Sequence, residues 1–272
     1  MPSFSLAALT ALELSPPELV EVAAACGFEH VGFRLLAATP GGLAYPLMDD
    51  AKQLRETRSR LDATGIRVAD LEVVAFRPET DVESLTAFLE AGRMLGAQHT
   101  LVAAYDPDLS RFSDRFARYC ELAASFGLTA DLEFMQWTHV PDLNTAVAIV
   151  ERTSSAAAGI LVDALHFDRS RGSLEHLHRI SSSRLHYWQM CDGPAERPST
   201  TEELIHAARE ERMFPGEGGI DLVGLTKAMP PDITISIEIP TAELAKTMNA
   251  EARARRALHG AKAVIAAAGI IS

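Results

Sequence analysis

Residues 110–135 read SRFSDRFARYCELAASFGLTADLEFM, an amphipathic helix pattern over 110–126, a glycine at Gly127, and a short apolar run ending in an acid, Glu133. The glycine accepts the left-handed backbone that stops a helix. The run that follows has the apolar density of a strand buried on both faces of a parallel sheet. The same unit recurs in both directions along the chain. Strand patterns fall at 4–9, 30–36, 67–76, 99–105, 129–135, 159–165, 185–191 and 233–239. Helix patterns lie between them, one opening at Ser15-Pro16-Pro17-Glu18 and others over 50–64, 82–95, 143–152, 222–229 and 249–268. Ser15 is placed to cap the first of these, with proline tolerated in its first turn. Gly27, Gly65, Gly96 and Gly269 stand where Gly127 does, just past a helix.

Eight such pairs with no break in composition predict one α/β domain over residues 1–272, a (β/α)8 TIM barrel. The 272 residues suit that fold, which takes about 250. An open doubly wound sheet would need a Gly-rich phosphate loop after the first strand, and residues 9–15 contain none. The long connections at 37–49 and 192–219 both leave C-terminal strand ends, where barrels build their sites.

Apolar residues make up 47% of the chain, ample for a large core, and the net charge is -12. Such a surface repels a phosphate backbone, which counts against nucleic acid as a partner. Cys26, Cys120 and Cys191 are odd in number and far apart, fitting a reducing cytoplasm better than a disulfide scaffold. No apolar run is long enough for a membrane span, and the N-terminus lacks a basic leader segment, so a soluble cytoplasmic protein is expected, with homo-oligomers allowed. Local motifs for a serine hydrolase, an NTPase or a zinc finger are missing.

Four consecutive strand patterns end in a polar side chain: Glu133, Asp163 in Leu161-Val-Asp163-Ala-Leu-His166, Gln189 in Trp188-Gln189-Met-Cys-Asp192, and Glu238 in Ile237-Glu238-Ile-Pro240. A closed barrel brings these ends to one rim. Carboxylates buried together repel one another and lose hydration, a conflict that one divalent cation removes. Oxygen donors of this kind suit Mn2+ or Mg2+, with Co2+ or Zn2+ as alternatives.

These residues, together with Arg209-Glu-Glu-Arg212-Met-Phe-Pro215-Gly-Glu-Gly218, resemble the xylose isomerase-like barrels, also called the sugar phosphate isomerase/epimerase or AP endonuclease family 2 superfamily. The resemblance covers nearly the whole chain. It implies that Glu133, Asp163, Gln189 and Glu238 bind one metal, with Glu133 and Glu238 as the proton-carrying catalytic pair. Many epimerases of the family have histidine where this chain has Gln189; the 3-dehydroshikimate dehydratases share the glutamine.

The resemblance also places His166 against a substrate oxygen and Glu72 and Arg77 at substrate-facing positions, although an ion pair serves equally for these two. Arg209 and Arg212 offer planar forks for a carboxylate, phosphate or vicinal diol, against the plainer reading of a solvated helix face. Trp137, Trp188 and Cys191 read as packing, Asp192 as a residue orienting the loop, and His176, His178 and His186 as part of a polar stretch rather than a metal cluster.

The expected activity is divalent-metal-dependent isomerisation or epimerisation of a small polyhydroxylated sugar, cyclitol or keto compound, by proton abstraction next to a carbonyl through an enediolate. A lyase of the 3-dehydroshikimate dehydratase type is the alternative. A metal-dependent AP endonuclease and a non-catalytic ligand-binding barrel are weaker readings.

Overall fold

The computed structural model describes residues 1–39 and 41–270; residue 40, in the first long connection, and residues 271–272 lie outside it. Eight parallel strands close on themselves in sequence order: β1 Phe4–Leu6, β2 His30–Arg34, β3 Arg67–Phe76, β4 His99–Ala104, β5 Thr129–Glu133, β6 Ala158–Asp163, β7 Tyr187–Met190 and β8 Thr234–Ile237, with β8 pairing β1. The TIM barrel expected from the sequence is present.

Around it run α1 Pro16–Cys26, α2 Ala51–Thr64, α3 Thr86–Leu95, α4 Leu109–Ser125, α5 Leu143–Val150, α6 Ala164–Arg169, α7 Leu174–Arg179, α8 Thr201–Glu210, α9 Leu222–Ala228 and α10 Ala250–Ala267. Local chemistry sets their ends. Ser15 and Glu18 form a capping box ahead of α1, and Asp50, Asp108 and Asn249 accept backbone N–H groups at the starts of α2, α4 and α10. At the other end Gly27, Gly65 and Gly96 sit at positive φ, where a Cβ is disfavoured. Among the described residues no helix is long and apolar enough to cross a membrane.

Strand side chains alternate between two environments. Outward residues such as Val31, Phe33, Leu132, Ile160 and Trp188 join the core beneath the helices. Val73, Leu101, Ala103, Met135, Leu161 and Tyr187 form a second apolar cluster inside the barrel. That cluster separates two polar layers, one at each end of the lumen.

Candidate active site

The C-terminal mouth is a cavity of about 290 Å³ lined by Arg34, Glu72, Glu133, Trp137, His166, Arg209, Arg212 and Glu238, with further apolar residues. Asp163 and Gln189, both fully buried, stand beneath it at the ends of β6 and β7 as Cα partners in the ladder. The four polar residues singled out at the strand ends therefore share one rim.

Asp163 is the last residue of β6 and the N-cap of α6. The strand turns into a helix there because Oδ1 accepts the His166 amide at 3.0 Å. Its Oδ2 accepts Nη1 of Arg212 at 2.5 Å. The same guanidinium reaches Glu238 Oε2 through Nη2 at 2.9 Å and donates Nε–H to the Ala208 carbonyl at 2.8 Å. Arg212 is thus a clamp across two strand ends. This corrects the expectation of an open fork for a substrate anion: the donors are committed inside the protein and the residue is 5% exposed. Arg209, one turn earlier on α8, lines the cavity and has no side-chain partner among the described residues.

Glu133 lies 3.8 Å from His166 Nε2, and the His166 ring is held edge-on against Trp137 at 5.1 Å. Trp137 walls the cavity, whereas Trp188 is packing. On the other side Glu72 accepts a hydrogen bond from Arg34 at 2.6 Å, so its ionic partner is Arg34. Arg77 does not enter the mouth. It points into a neighbouring surface pocket with its guanidinium over the Tyr105 ring at 5.2 Å, because it follows the last residue of β3 by one and turns outward with the chain.

The mouth is short of positive charge. Glu72, Glu133, Asp163, Glu210 and Glu238 face three guanidiniums, Arg34, Arg209 and Arg212, while burial lowers the His166 pKa to about 4 and keeps that ring neutral. Burial, reinforced by the charges of Asp163 and Glu238, pushes Glu133 well above the usual carboxylate range. Burial also raises Glu238 to about 7, even with Arg212 opposing it. Burial would raise Asp163 as well, but the charge and hydrogen bond of Arg212, with the His166 amide and ring, together outweigh it and the net shift is downward. Two negative charges stay unbalanced if all five carboxylates ionise. One divalent cation matches that deficit, and Glu133, Asp163 and His166 offer donor atoms within 4.8 Å of one another. Gln189 adds a buried Oε1 with no partner. The donor set fits a divalent ion.

Asp192 gathers the loop behind the site. Its Oδ1 accepts the amides of Gly193 and Ile220 at 2.8 and 3.1 Å, and its Oδ2 those of Gly216 and Gly218, both at 3.0 Å. A backbone pair between Asp192 and Met213 closes the same loop.

Comparison with known proteins agrees with this architecture. The chain superposes on the structure of the IOLI protein with a zinc atom at a TM-score of 0.82, 19% identity, covering 97% of this chain and 98% of that one. It superposes on D-allulose 3-epimerase from Methylomonas sp. at 0.70, 17% identity, covering 97% and 98%. A stretch of 113 residues, 41% of this chain, is 27% identical to 3-dehydroshikimate dehydratase of Pseudomonas aeruginosa, and it spans only 17% of that protein's length. Residues 20–264 match the family model of the xylose isomerase-like TIM barrel. The chain belongs to the xylose isomerase-like TIM barrel family.

Proposed function

We propose that the chain is a divalent-metal-dependent isomerase or epimerase of a small sugar, cyclitol or related keto compound, holding its metal through Glu133, Asp163, Gln189 and Glu238. The observation that carries this reading is the excess of two negative charges among Glu72, Glu133, Asp163, Glu210 and Glu238 over Arg34, Arg209 and Arg212. When bound there, a divalent ion supplies positive charge to a substrate carbonyl oxygen as negative charge develops on it.

The remaining work falls to the protein's own groups. Glu133 on β5 and Glu238 after β8 flank the ends of β6 and β7, so they approach a substrate from two ends of one arc. One takes the proton from the carbon beside the carbonyl and the other returns a proton. Return to the opposite face of that carbon gives an epimer; return to the neighbouring carbon gives an isomer. Neutral His166 and the Trp137 ring beside it present a hydrogen-bonding edge and an apolar wall. The fold likeness to D-allulose 3-epimerase supports the epimerase reading.

A dehydratase is the second reading. Gln189 favours it, together with the partial match to 3-dehydroshikimate dehydratase. Arg209, uncommitted at the cavity wall, would then hold a substrate carboxylate.

The test is exchange in D2O with a panel of ketoses, inosose and dehydroshikimate. Deuterium should enter the carbon next to the carbonyl only when metal is present. Glu133→Gln and Glu238→Gln should each slow that exchange by about a hundredfold or more. A product of unchanged mass supports the isomerase; loss of water supports the lyase. Metal-dependent turnover with no carbon–hydrogen bond broken would refute both.

A further inference from the structure

The opposite end of the barrel carries a second group of ligand-type side chains. His99 opens β4, Asp131 is the third residue of β5, and His186 immediately precedes β7. Their donor atoms lie within 4.8 Å of one another. The two imidazoles are parallel, with centroids 5.9 Å apart and 2° between planes. The carboxylate of Asp131, fully buried, accepts the Thr129 hydroxyl at Oδ2 (2.6 Å) and His186 Nδ1 at Oδ1 (2.7 Å). The one hydroxyl hydrogen of Thr129 is spent on the carboxylate, so His99 Nδ1 donates to Thr129 Oγ1 at 2.8 Å. His186 therefore binds the buried carboxylate directly, and His99 reaches it through the Thr129 hydroxyl.

Two further observations separate this group from an ordinary hydrogen-bonded knot. Asp70, the Cα partner of His99 on β3, is fully buried in the same polar layer with its carboxylate turned toward Gly32 and Ser236, and neither oxygen has a hydrogen-bond partner among the described residues. His30, 3% exposed, likewise leaves Nδ1 unpartnered. A carboxylate buried without a partner is costly unless a proton or a cation neutralises it. Burial and the charges of Glu72, Glu238 and Asp131 raise the Asp70 pKa well above the ordinary range. Space is also reserved for the cluster: a Cβ on Gly159 would overlap Asp131 Oδ1 and His186 Nδ1.

We propose that this end of the barrel is a second metal site, taking a zinc-type divalent ion through His99, Asp131 and His186. The ion takes the place of the hydrogens now on the two Nδ1 atoms, and each ring shifts its hydrogen to Nε2. His186 Nδ1 is 2.7 Å and His99 Nδ1 3.9 Å from Asp131 oxygens. Tetrahedral zinc, with bonds of about 2.0–2.1 Å, spaces its ligand atoms about 3.3 Å apart, a value between these two distances. Two imidazoles select zinc over magnesium. The ion would tie β4, β5 and β7 together at the face of the barrel that governs stability rather than turnover.

The test uses the full chain with its mouth disarmed. The Glu133→Gln/Glu238→Gln variant, stripped and reloaded, should retain one zinc ion per chain by elemental analysis, and zinc should raise its Tm by several degrees. Adding His99→Gln and His186→Gln should remove both the ion and the rise. A mouth variant that holds no zinc overturns the proposal, as does zinc retention unchanged by the histidine substitutions. Should the histidine variants fail to fold, zinc-soaked crystals of the unaltered chain decide the matter. An anomalous peak among His99, Asp131 and His186 supports the site; water there without anomalous signal refutes it.

Discussion

Gln189 donates its side-chain N–H to Glu238 Oε1 at 2.9 Å, and this bond fixes the other end of the amide as a buried oxygen with no partner. A histidine would offer the site a nitrogen; here the neighbouring strand orients an oxygen instead. Replacing Gln189 by Leu should weaken divalent-metal binding by about 10–100-fold, and Gln189→His should recover most of it. Calorimetry on stripped protein measures both. Affinity unchanged in Gln189→Leu would reduce the amide to a strut for Glu238.

The two arginines of the α8 segment should behave differently. Arg212→Lys removes a fork that spans Asp163 and Glu238, and an ammonium cannot hold both in that geometry. Metal content and kcat should fall for every substrate. Arg209→Lys should instead raise KM for anionic substrates alone, because its side chain lines the cavity wall with no partner among the described residues. Equal effects of the two substitutions on neutral and anionic substrates would contradict the division.

Metal binding should release protons. Burial holds Glu133 well above the usual carboxylate range and Glu238 at about 7 in the metal-free chain, and a bound cation favours the ionised form of both. Below pH 7 the Glu238 proton must leave as the ion enters, and any proton still on Glu133 leaves with it, so affinity should rise as pH is raised through 7. Calorimetry in two buffers of different ionisation enthalpy counts the protons. A binding enthalpy independent of buffer at pH 6 would show that both carboxylates are already ionised.

Gly159→Ala should destabilise the fold by about 1–3 kcal/mol in urea denaturation, since the new methyl group overlaps Asp131 and His186. Catalysis in the surviving folded fraction should be little changed, because Gly159 lies at the far end of the lumen, with Leu161 between it and the mouth residue Asp163. Unaltered stability would mean that Asp131 has room to move.

The strands were legible because parallel strands buried on both faces are written as apolar runs. Their ends were over-extended for the same reason: Phe134, Leu165, Cys191 and Ile239 are buried beyond the last ladder bond. The positions of Glu133, Asp163, Gln189 and Glu238 on one rim followed from strand ends alone. The role of Arg212 did not, since nothing in its spacing says that α8 folds back over β6 and β8. α8 itself carried a signal in Thr200 and Glu203, which form a capping box, but the segment is polar and interrupts the alternation. The lower cluster was readable in part: Asp131 lies two residues before Glu133, and so on the same inward face. His186 grouped in sequence with His176 and His178, yet these ride on α7 while His186 turns to Asp131.

Asp192 joins both ends of the 193–212 excursion to a single point, through the Met213 backbone pair and the amides of Gly216, Gly218 and Ile220. The excursion is tied back to the barrel by Arg197 on Asp168 and by the Arg212 clamp, and lengthening it between those ties adds little closure entropy. Residues 198–207 can therefore be exchanged as a cassette while the root, Arg197 and Arg212 hold their places. Descent with changed substrate range, or its imitation by loop grafting, needs no more than a new stretch of chain inserted above an untouched charge centre.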